Sequence, residues 1–226
     1  MSKASKSAFE AIRAGILDGR FRPGEHLKEE VLAKVCGVSR TPIRDALRQL
    51  AADNYVTIVP NRGTFVTEWS VSDIEDIFTL RSMLEGQAAR LAATRASDDQ
   101  IARMSECCDR IEAMLDREEA DAEAFVEINR VFHAALREAA GSKRLDLMIK
   151  RLTEQAVVTM TARSYGRRDI ERSNAQHSEL VDAIRARDGD WARAVMVSHL
   201  HGAYRVYQKN YLESGSEAGP GDETRF

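Results

Sequence analysis

Apolar residues recur every three to four positions in three stretches near the start of the chain, which is the spacing of amphipathic helices. The three predicted helices cover about residues 7–19, 27–36 and 40–53. Arg22-Pro23-Gly24 separates the first two, because proline and glycine favour a turn. Gly37-Val38-Ser39 separates the second from the third, and Ser39 is the predicted N-cap of that third helix.

A short hairpin is predicted after the third helix. Residues 55–59 and 64–67 are rich in β-branched and aromatic side chains, and Pro60-Asn61-Arg62-Gly63 lies between them. Two short helices joined through a tight turn and followed by a hairpin are typical of a winged helix-turn-helix domain. We predict this domain over residues 1–68.

Helical spacing continues from Ser72, with clear stops between the segments. Ser72-x-x-Glu75 and Ser97-x-x-Gln100 have the pattern of capping boxes. Six helices are predicted, at about residues 72–95, 98–117, 121–140, 143–164, 170–187 and 190–212. Short connections imply antiparallel neighbours, so the fold class is mainly α, with an all-α antiparallel bundle over residues 69–212. Residues 213–226 are rich in glycine, serine and acid and are predicted to be disordered.

Composition and charge narrow the class of protein. No apolar run approaches the roughly 20 residues that cross a bilayer, and the start lacks the apolar stretch of a signal peptide, so we expect a cytoplasmic protein without a membrane partner. The three cysteines resemble neither a disulfide framework nor a zinc knuckle. Residues 1–67 carry 11 Lys plus Arg against 7 Asp plus Glu, a net charge of +4, whereas the remainder is at −7. We call residues 1–67 the head and the rest of the chain the body. A basic head followed by an acidic body is typical of a polyanion-binding module joined to a second domain.

The candidate polyanion contacts are on the third helix. Arg40, Arg44 and Arg48 recur every four residues and so share one face, opposite an apolar stripe. Such a row can bind guanine edges or phosphates, but it can equally be a solvated face. Further candidates are two hydroxyl residues at the helix start and two residues at the hairpin tip that can enter a minor groove: Ser39, Thr41, Arg62 and Gly63.

Three histidines lie inside apolar helical stripes of the predicted bundle: His133, His177 and His199. Any one of them alone is typical of a hydrogen-bonded core histidine. Together with Asn129, which precedes His133 by one turn, they can instead converge as nitrogen and oxygen ligands of a divalent ion. Spacing alone leaves both interpretations open. His26 and His201 are predicted to play no part.

Arg81 lies on the core-facing stripe of the first bundle helix, where a buried guanidinium needs an anion. Glu85, four residues later, can supply that anion. The alternative is that Arg81 binds the carboxylate of a small molecule, and the sequence supports the two interpretations equally.

The head resembles the N-terminal domain of GntR-family bacterial transcription regulators. The resemblance rests on Pro23-Gly24, Leu27, Glu30, Leu32-Ala33, the run from Gly37 to Leu47, Leu50 and Arg62-Gly63. It implies binding of double-stranded operator DNA as a homodimer, with base or phosphate contacts from Arg40, Thr41, Arg44 and Arg48 and minor-groove contact at Gly63. Some relatives carry an arginine where this chain has Glu30, so that contact is expected to be absent.

The body is similar to the FCD effector domain, which defines the FadR branch of that family. The similar segments are Asn129-Arg130-Val131-Phe132-His133, Gln176 to Leu180, and Met196 to Leu200. The resemblance implies that His133, His177 and His199, with Asn129 as the fourth ligand, hold a divalent metal ion, zinc or nickel. It also implies a small organic acid effector, with Arg81 lining the effector pocket. Six predicted helices, rather than seven, suggest the shorter, VanR-like version of the FCD bundle.

The resulting hypothesis is a ligand-responsive transcription regulator, most simply a repressor, and not an enzyme. An effector that prefers one arrangement of the heads would change operator occupancy. A metal-sensing repressor is the nearer alternative. A metal-dependent hydrolase is the more distant one, because no glutamate adjoins the histidines in a His-Glu-x-x-His arrangement.

Overall fold

The computed structural model describes residues 2–116, 121–153 and 156–212. They form ten α-helices, two strands and a short π-helical segment, in chain order α1 Lys3–Leu17, α2 Glu29–Cys36, α3 Arg40–Ala52, β1 Val56–Val59, β2 Gly63–Val66, α4 Val71–Arg95, α5 Asp98–Leu115, α6 Ala122–Ala139, α7 Lys143–Thr153, α8 Ala156–Arg163, α9 Arg167–Arg185, α10 Gly189–Tyr207 and the π segment Gln208–Leu212. The described residues divide into two compact units. One holds residues 2–70 and 156–160, and the other holds 71–153 and 161–212.

The first unit is a three-helix head with a hairpin, as predicted. One core runs through α1, α2, α3 and the hairpin, and its fully buried side chains include Ile12, Leu32, Ile43 and Leu50. Strands β1 and β2 pair antiparallel, in a register from Val56↔Val66 to Val59↔Gly63. The fold therefore holds α3 against α1 and α2 by its apolar side and leaves its arginine side exposed.

Two helix boundaries in the head have local explanations. Helix α2 ends at Gly37, which has the left-handed φ of 65° that glycine adopts without a steric cost. Ser39 occupies the N-cap position of α3, as predicted, with extended backbone angles. Its side chain makes no capping hydrogen bond, however, so the exposed hydroxyl at the start of α3 is not used by the helix itself.

The second unit is an all-helical bundle in which α4 packs against α10, α9, α6 and α7. Small residues let α4 approach its neighbours closely. Ala88, Ala89, Ala92 and Ala93 are fully buried, and a Cβ at Gly86 would lie 3.2 Å from Val197 Cγ2 on α10. This close packing sets the inward face of α4 against helices that carry the candidate ligands.

The helix boundaries of the bundle largely follow the sequence. The capping box of Ser97 and Gln100 is confirmed at the start of α5. Helix α4 begins at Val71, so Ser72 lies inside the first turn rather than at the predicted N-cap. The predicted helix over 143–164 is described in two parts, α7 and α8, and residues 154 and 155 between them lie outside the described residues. The predicted tail, 213–226, also lies outside them.

None of the helices in the described ranges is both long and apolar enough to cross a membrane.

Candidate metal centre and nucleic-acid interface

The three predicted ligand histidines come together. His133 on α6, His177 on α9 and His199 on α10 each offer one ring nitrogen, and these three atoms lie within 4.8 Å of one another. The three side chains are buried, with 7%, 0% and 5% of their surface exposed. The rings therefore point into one interior from three different helices, which sequence spacing alone could not establish.

Several ring nitrogens of this cluster have no hydrogen-bond partner among the described residues. Both nitrogens of His177 and the Nδ1 atom of His199 are buried with no hydrogen-bond partner among the described residues. Buried polar atoms are nearly always paired, so these unpaired nitrogens are available to bind a ligand such as a metal ion. Imidazole nitrogen is a common ligand of zinc, nickel and related divalent ions, so this donor set fits such an ion.

Burial also fixes the charge state that a metal ligand requires. It lowers the pKa of His199 to about 3, and it lowers the pKa of His177 well below its usual range, with the neighbouring imidazoles acting in the same direction. Both rings are therefore neutral near pH 7, which is the form of histidine that binds metals. The His177 ring also stacks on Phe132, with 4.0 Å between the ring centroids.

Glu85 on α4 links this cluster to Arg81. Its Oε1 atom accepts a hydrogen bond from Arg81 Nε at 2.8 Å, and its Oε2 atom lies 3.2 Å from His133 Nδ1, a contact that is not aligned as a hydrogen bond. Glu85 and Arg81 are 1% and 5% exposed. Burial opposes ionisation of the carboxyl, but Arg81 and His133 outweigh it and hold the pKa of Glu85 well below its usual range. The Arg81–Glu85 pair, one of the two alternatives for Arg81, is therefore present.

Asn129, the fourth predicted ligand, lies one turn before His133, and its Oδ1 atom is buried without a hydrogen-bond partner among the described residues. Sequence reasoning missed Ser173, whose buried Oγ also lacks a partner there. Its position four residues before His177 was a usable signal. Tyr165 was missed as well, and burial raises its pKa to about 12 against the opposing charge of Arg81. No sequence pattern indicated Tyr165.

A surface cavity of about 480 Å³ lies between α4 and α10 and is separate from the histidine cluster. Phe78, Met83, Val197 and Tyr204 are among its lining residues, and none of the three clustered histidines lines it. His201, which was predicted to face away from His199, is at this cavity.

In the first unit, the predicted DNA-reading residues of α3 share one exposed face. The side chains of Arg40, Arg44 and Arg48 are 57%, 57% and 75% exposed, whereas the apolar residues opposite them are buried. Ser39 and Thr41 at the start of the helix are exposed too. The geometry is therefore that of a helix able to present guanidinium groups and hydroxyls to a nucleic acid.

Each of these arginines has a carboxylate beside it. Arg44 Nε lies 2.9 and 2.8 Å from the two carboxylate oxygens of Glu29. Arg40 lies 3.3 Å from Glu30, and Arg48 lies 3.8 Å from Asp45. This face of α3 is thus an array of ion pairs and not a row of isolated cations.

Gly63, next to the tip of the hairpin, packs closely against His26. Gly63 has φ 109°, and a Cβ there would lie 2.4 Å from Nε2 of His26. The His26 ring stacks on Phe65 at 4.8 Å between centroids, and the Arg62 guanidinium lies 6.0 Å from the centroid of the same ring. Only glycine fits at position 63 without displacement, because both the φ angle and the contact exclude a side chain. His26, which sequence reasoning set aside, is therefore part of the hairpin structure.

A head with this helix arrangement and hairpin, carried on a chain with an all-helical second unit, defines a two-domain DNA-binding regulator. Residues 4–66 match the bacterial regulatory proteins of the gntR family, and residues 76–202 match the FCD domain. The chain therefore belongs to the GntR family and carries an FCD effector-binding domain. It is a transcription regulator and not an enzyme, which removes the hydrolase alternative.

Relatives and solved structures agree with this assignment. The chain is 30% identical to the HTH-type transcriptional repressor GlaR of Escherichia coli (strain K12), covering 88% of this chain and 94% of GlaR. It is 28% identical to the Nta operon transcriptional regulator of Aminobacter aminovorans, covering 80% and 83%. The structure of E. coli McbR/YncC superposes with a TM-score of 0.74 over 93% of this chain and all of that one; at 20% identity it supports the fold alone.

Proposed function

We propose that this chain is a repressor of the FadR branch whose FCD domain binds a divalent metal ion and a small carboxylate effector, and that the effector changes its affinity for operator DNA. The observation that carries the proposal is the cluster of three buried histidines, each with one ring nitrogen within 4.8 Å of the other two. His177 and His199 are neutral near pH 7 and have ring nitrogens without a hydrogen-bond partner among the described residues. The name of GlaR as a repressor supports the direction of control.

In this proposal His133, His177 and His199 hold the ion, and Asn129 contributes the fourth protein ligand through Oδ1. Zinc and nickel fit a donor set of three imidazoles, because imidazole nitrogen suits these ions. The bound ion supplies a positive centre for an effector carboxylate. Glu85 faces His133 Nδ1, so the opposite nitrogen of that ring is the one free to bind the ion.

Arg81 is the proposed second contact for the effector carboxylate. Its Nε atom is engaged by Glu85, and its Nη groups carry the donors that suit a carboxylate. The guanidinium is buried, so a bound acid would meet it in a site largely free of water. An effector with this pair of contacts must be small and anionic.

The proposed DNA contacts lie on α3 and at the hairpin tip of a homodimer bound to a palindromic operator. The contacting residues are Ser39, Arg40, Thr41, Arg44, Arg48, Arg62 and Gly63. Exposure of the α3 arginines and of Gly63 supports this set. An effector preference of about 1–3 kcal/mol for one arrangement of the heads would change operator occupancy by roughly 5- to 150-fold.

The metal and effector parts are tested together. Protein stripped with a chelator is reloaded with Zn²⁺ or Ni²⁺, and its thermal stability is followed while a panel of small carboxylic acids is added. We expect one equivalent of metal per chain, with stabilisation by at least one acid only in the loaded protein. Failure to take up metal would contradict the proposal.

The DNA part is tested by replacing Arg44 with alanine. We expect a loss of about 1–3 kcal/mol of binding to a duplex selected by the unsubstituted chain from a randomised pool. Arg20→Ala is the control, because Arg20 is an exposed head arginine outside α3. Equal affinities of the Arg44→Ala variant and the unsubstituted chain would remove α3 from the interface.

A metal-sensing repressor remains the second candidate, and the near-complete burial of the three histidines favours it. In that case the ion itself is the signal. DNA binding would then change on loading the stripped protein with metal, with no acid present. An ion that co-purifies and leaves DNA affinity unchanged on removal would contradict this second candidate.

A further inference from the structure

Two carboxylates at the start of α2 contact the arginines of the recognition helix. Glu29 presents both of its oxygens to Arg44 Nε at 2.8 and 2.9 Å, and Glu30 lies 3.3 Å from an Nη atom of Arg40. Both glutamates are in the first turn of α2, where the helix dipole favours negative charge. The acidic pair is therefore fixed by one helix directly beside the basic row of the next.

Such pairing changes how α3 attracts DNA. Non-specific affinity comes from arginine and lysine charges that neutralise phosphates and release counterions, and it falls steeply with salt in proportion to the number of those charges. An arginine that already has a carboxylate within 3.3 Å contributes less to that attraction. The ion pairs therefore lower the affinity of the head for duplexes of arbitrary sequence.

The same contacts leave the base-reading atoms available. Glu29 engages the Nε of Arg44, which leaves the two Nη groups as the donors for the paired acceptors of a guanine edge. A carboxylate on Nε also restricts rotation of the guanidinium plane, because both oxygens lie at hydrogen-bond distance. Reading of a base edge depends on that orientation, whereas attraction to a phosphate depends far less on it.

We infer that Glu29 and Glu30 are specificity-determining residues, which lower the affinity of α3 for non-operator DNA and orient Arg44 for base readout. The inference rests on the proposed DNA-binding role of α3. The helix dipole alone does not explain why two carboxylates stand at the start of α2, because either of them would suffice to interact with the dipole.

The test compares E29Q, E30Q and the double variant E29Q/E30Q with the unsubstituted chain by fluorescence anisotropy. Two labelled 30-base-pair duplexes serve as probes: one of random sequence, and one selected by the unsubstituted chain from a randomised pool. Titrations are repeated over a series of salt concentrations. E10Q is the matched control, because Glu10 is a head glutamate on α1 paired with Arg13 at 3.8 Å, and its replacement makes the same change in net charge.

Each glutamine is expected to tighten binding to the random duplex by up to about 5-fold at low salt, which corresponds to the upper range of an exposed ion pair. The salt slope should steepen by up to about 0.9 for each arginine released. The ratio of affinities between the selected and random duplexes should fall, and most in the double variant. E10Q should leave the slope and the ratio nearly unchanged.

Three results would overturn the inference, and they are distinguishable. If the unsubstituted chain selects no duplex from the pool and does not bind the random one, the proposed DNA-binding role fails and the inference fails with it. If it binds both but the glutamine variants keep its salt slope and selectivity, only the inference fails. If E10Q shifts both quantities as much as E29Q does, the effect is one of net charge and the two carboxylates have no special position.

Discussion

At the scale of single residues, Glu85 is a buried carboxylate with two different neighbours. One carboxylate, 1% exposed, is shared between Arg81 and His133, so it neutralises a buried guanidinium and faces a proposed metal ligand at once. The sequence spacing offered the first contact as one of two alternatives for Arg81, since residues four apart on a helix are neighbours. It could not predict the second, because the contact joins α4 to α6 and depends on tertiary packing.

Replacing Glu85 with glutamine should destabilise the metal-free protein by about 3 kcal/mol, because it leaves the buried charge of Arg81 without a counter-ion. Chemical denaturation followed by circular dichroism measures this free energy of unfolding. The double variant Arg81→Met, Glu85→Leu is the control, and it should lose less stability than the single one because it buries no charge. Equal stability of Glu85→Gln and the unsubstituted chain would mean that Arg81 is hydrated.

Replacing His177 with alanine should lower the metal content, because His177 is fully buried and neither of its ring nitrogens has a partner among the described residues. Elemental analysis after loading with Zn²⁺ and desalting gives the amount bound per chain. His201→Ala is the matched control, since His201 is exposed on the same helix as His199 and is not in the cluster. Full retention of metal by the His177→Ala variant would exclude this residue as a ligand.

At the scale of elements, periodicity and caps predicted most of the fold, and the exceptions have local causes. Helix α1 begins at Lys3, earlier than predicted, because Ser2 caps it while the first turn has no apolar stripe to reveal it. The start of α5 was correct because its capping box is a local signal. The contact of His26 with the hairpin had no such signal, since it arises from an isolated bridge between His26 and Phe65.

The hairpin provides the prediction at this scale. Gly63→Ala should distort the hairpin tip, because the added Cβ meets both an unfavourable φ of 109° and the Nε2 atom of His26 at 2.4 Å. Backbone strain of this kind costs on the order of 1–3 kcal/mol. Binding to the selected duplex, measured by anisotropy, should weaken accordingly.

The double variant Gly63→Ala, His26→Ala separates the two causes. Removing the imidazole relieves the contact but not the φ angle, so it should restore part of the lost affinity. If the double variant binds no better than Gly63→Ala, steric contact with His26 contributes nothing and backbone strain accounts for the whole effect. Unchanged affinity of Gly63→Ala itself would show that the hairpin tip does not approach DNA.

At the scale of the whole molecule, the sequence predicted two functional regions, and each has its own core in the structure. The arginine face of α3 follows from a four-residue repeat and was fully predictable. The histidine cluster was predictable only through the resemblance to FCD domains, because helical spacing places a residue on a face but does not say which faces meet. Its charge state is a property of burial, and it leads to a prediction about the stability of the molecule.

The metal-free protein should lose stability as the pH falls below about 6.5. His199 has a folded pKa of about 3, and that of His177 is also well below 6.5, so the unfolded chain takes up protons in this range while the folded chain does not. The free energy of unfolding therefore falls by up to about 1.4 kcal/mol per pH unit for each histidine between roughly pH 6 and pH 4. Glu85, with its lowered pKa, adds a further loss of stability below about pH 4.5.

Urea denaturation of chelator-treated protein from pH 8 to pH 4 measures how the free energy of unfolding changes with pH. This slope should be close to zero above pH 7. Replacing both His177 and His199 with glutamine should remove most of the slope between pH 6 and pH 4.5. A slope equal to that of the unsubstituted chain would mean that the two imidazoles are accessible to water in the folded protein, and would contradict the closed site on which the metal proposal depends.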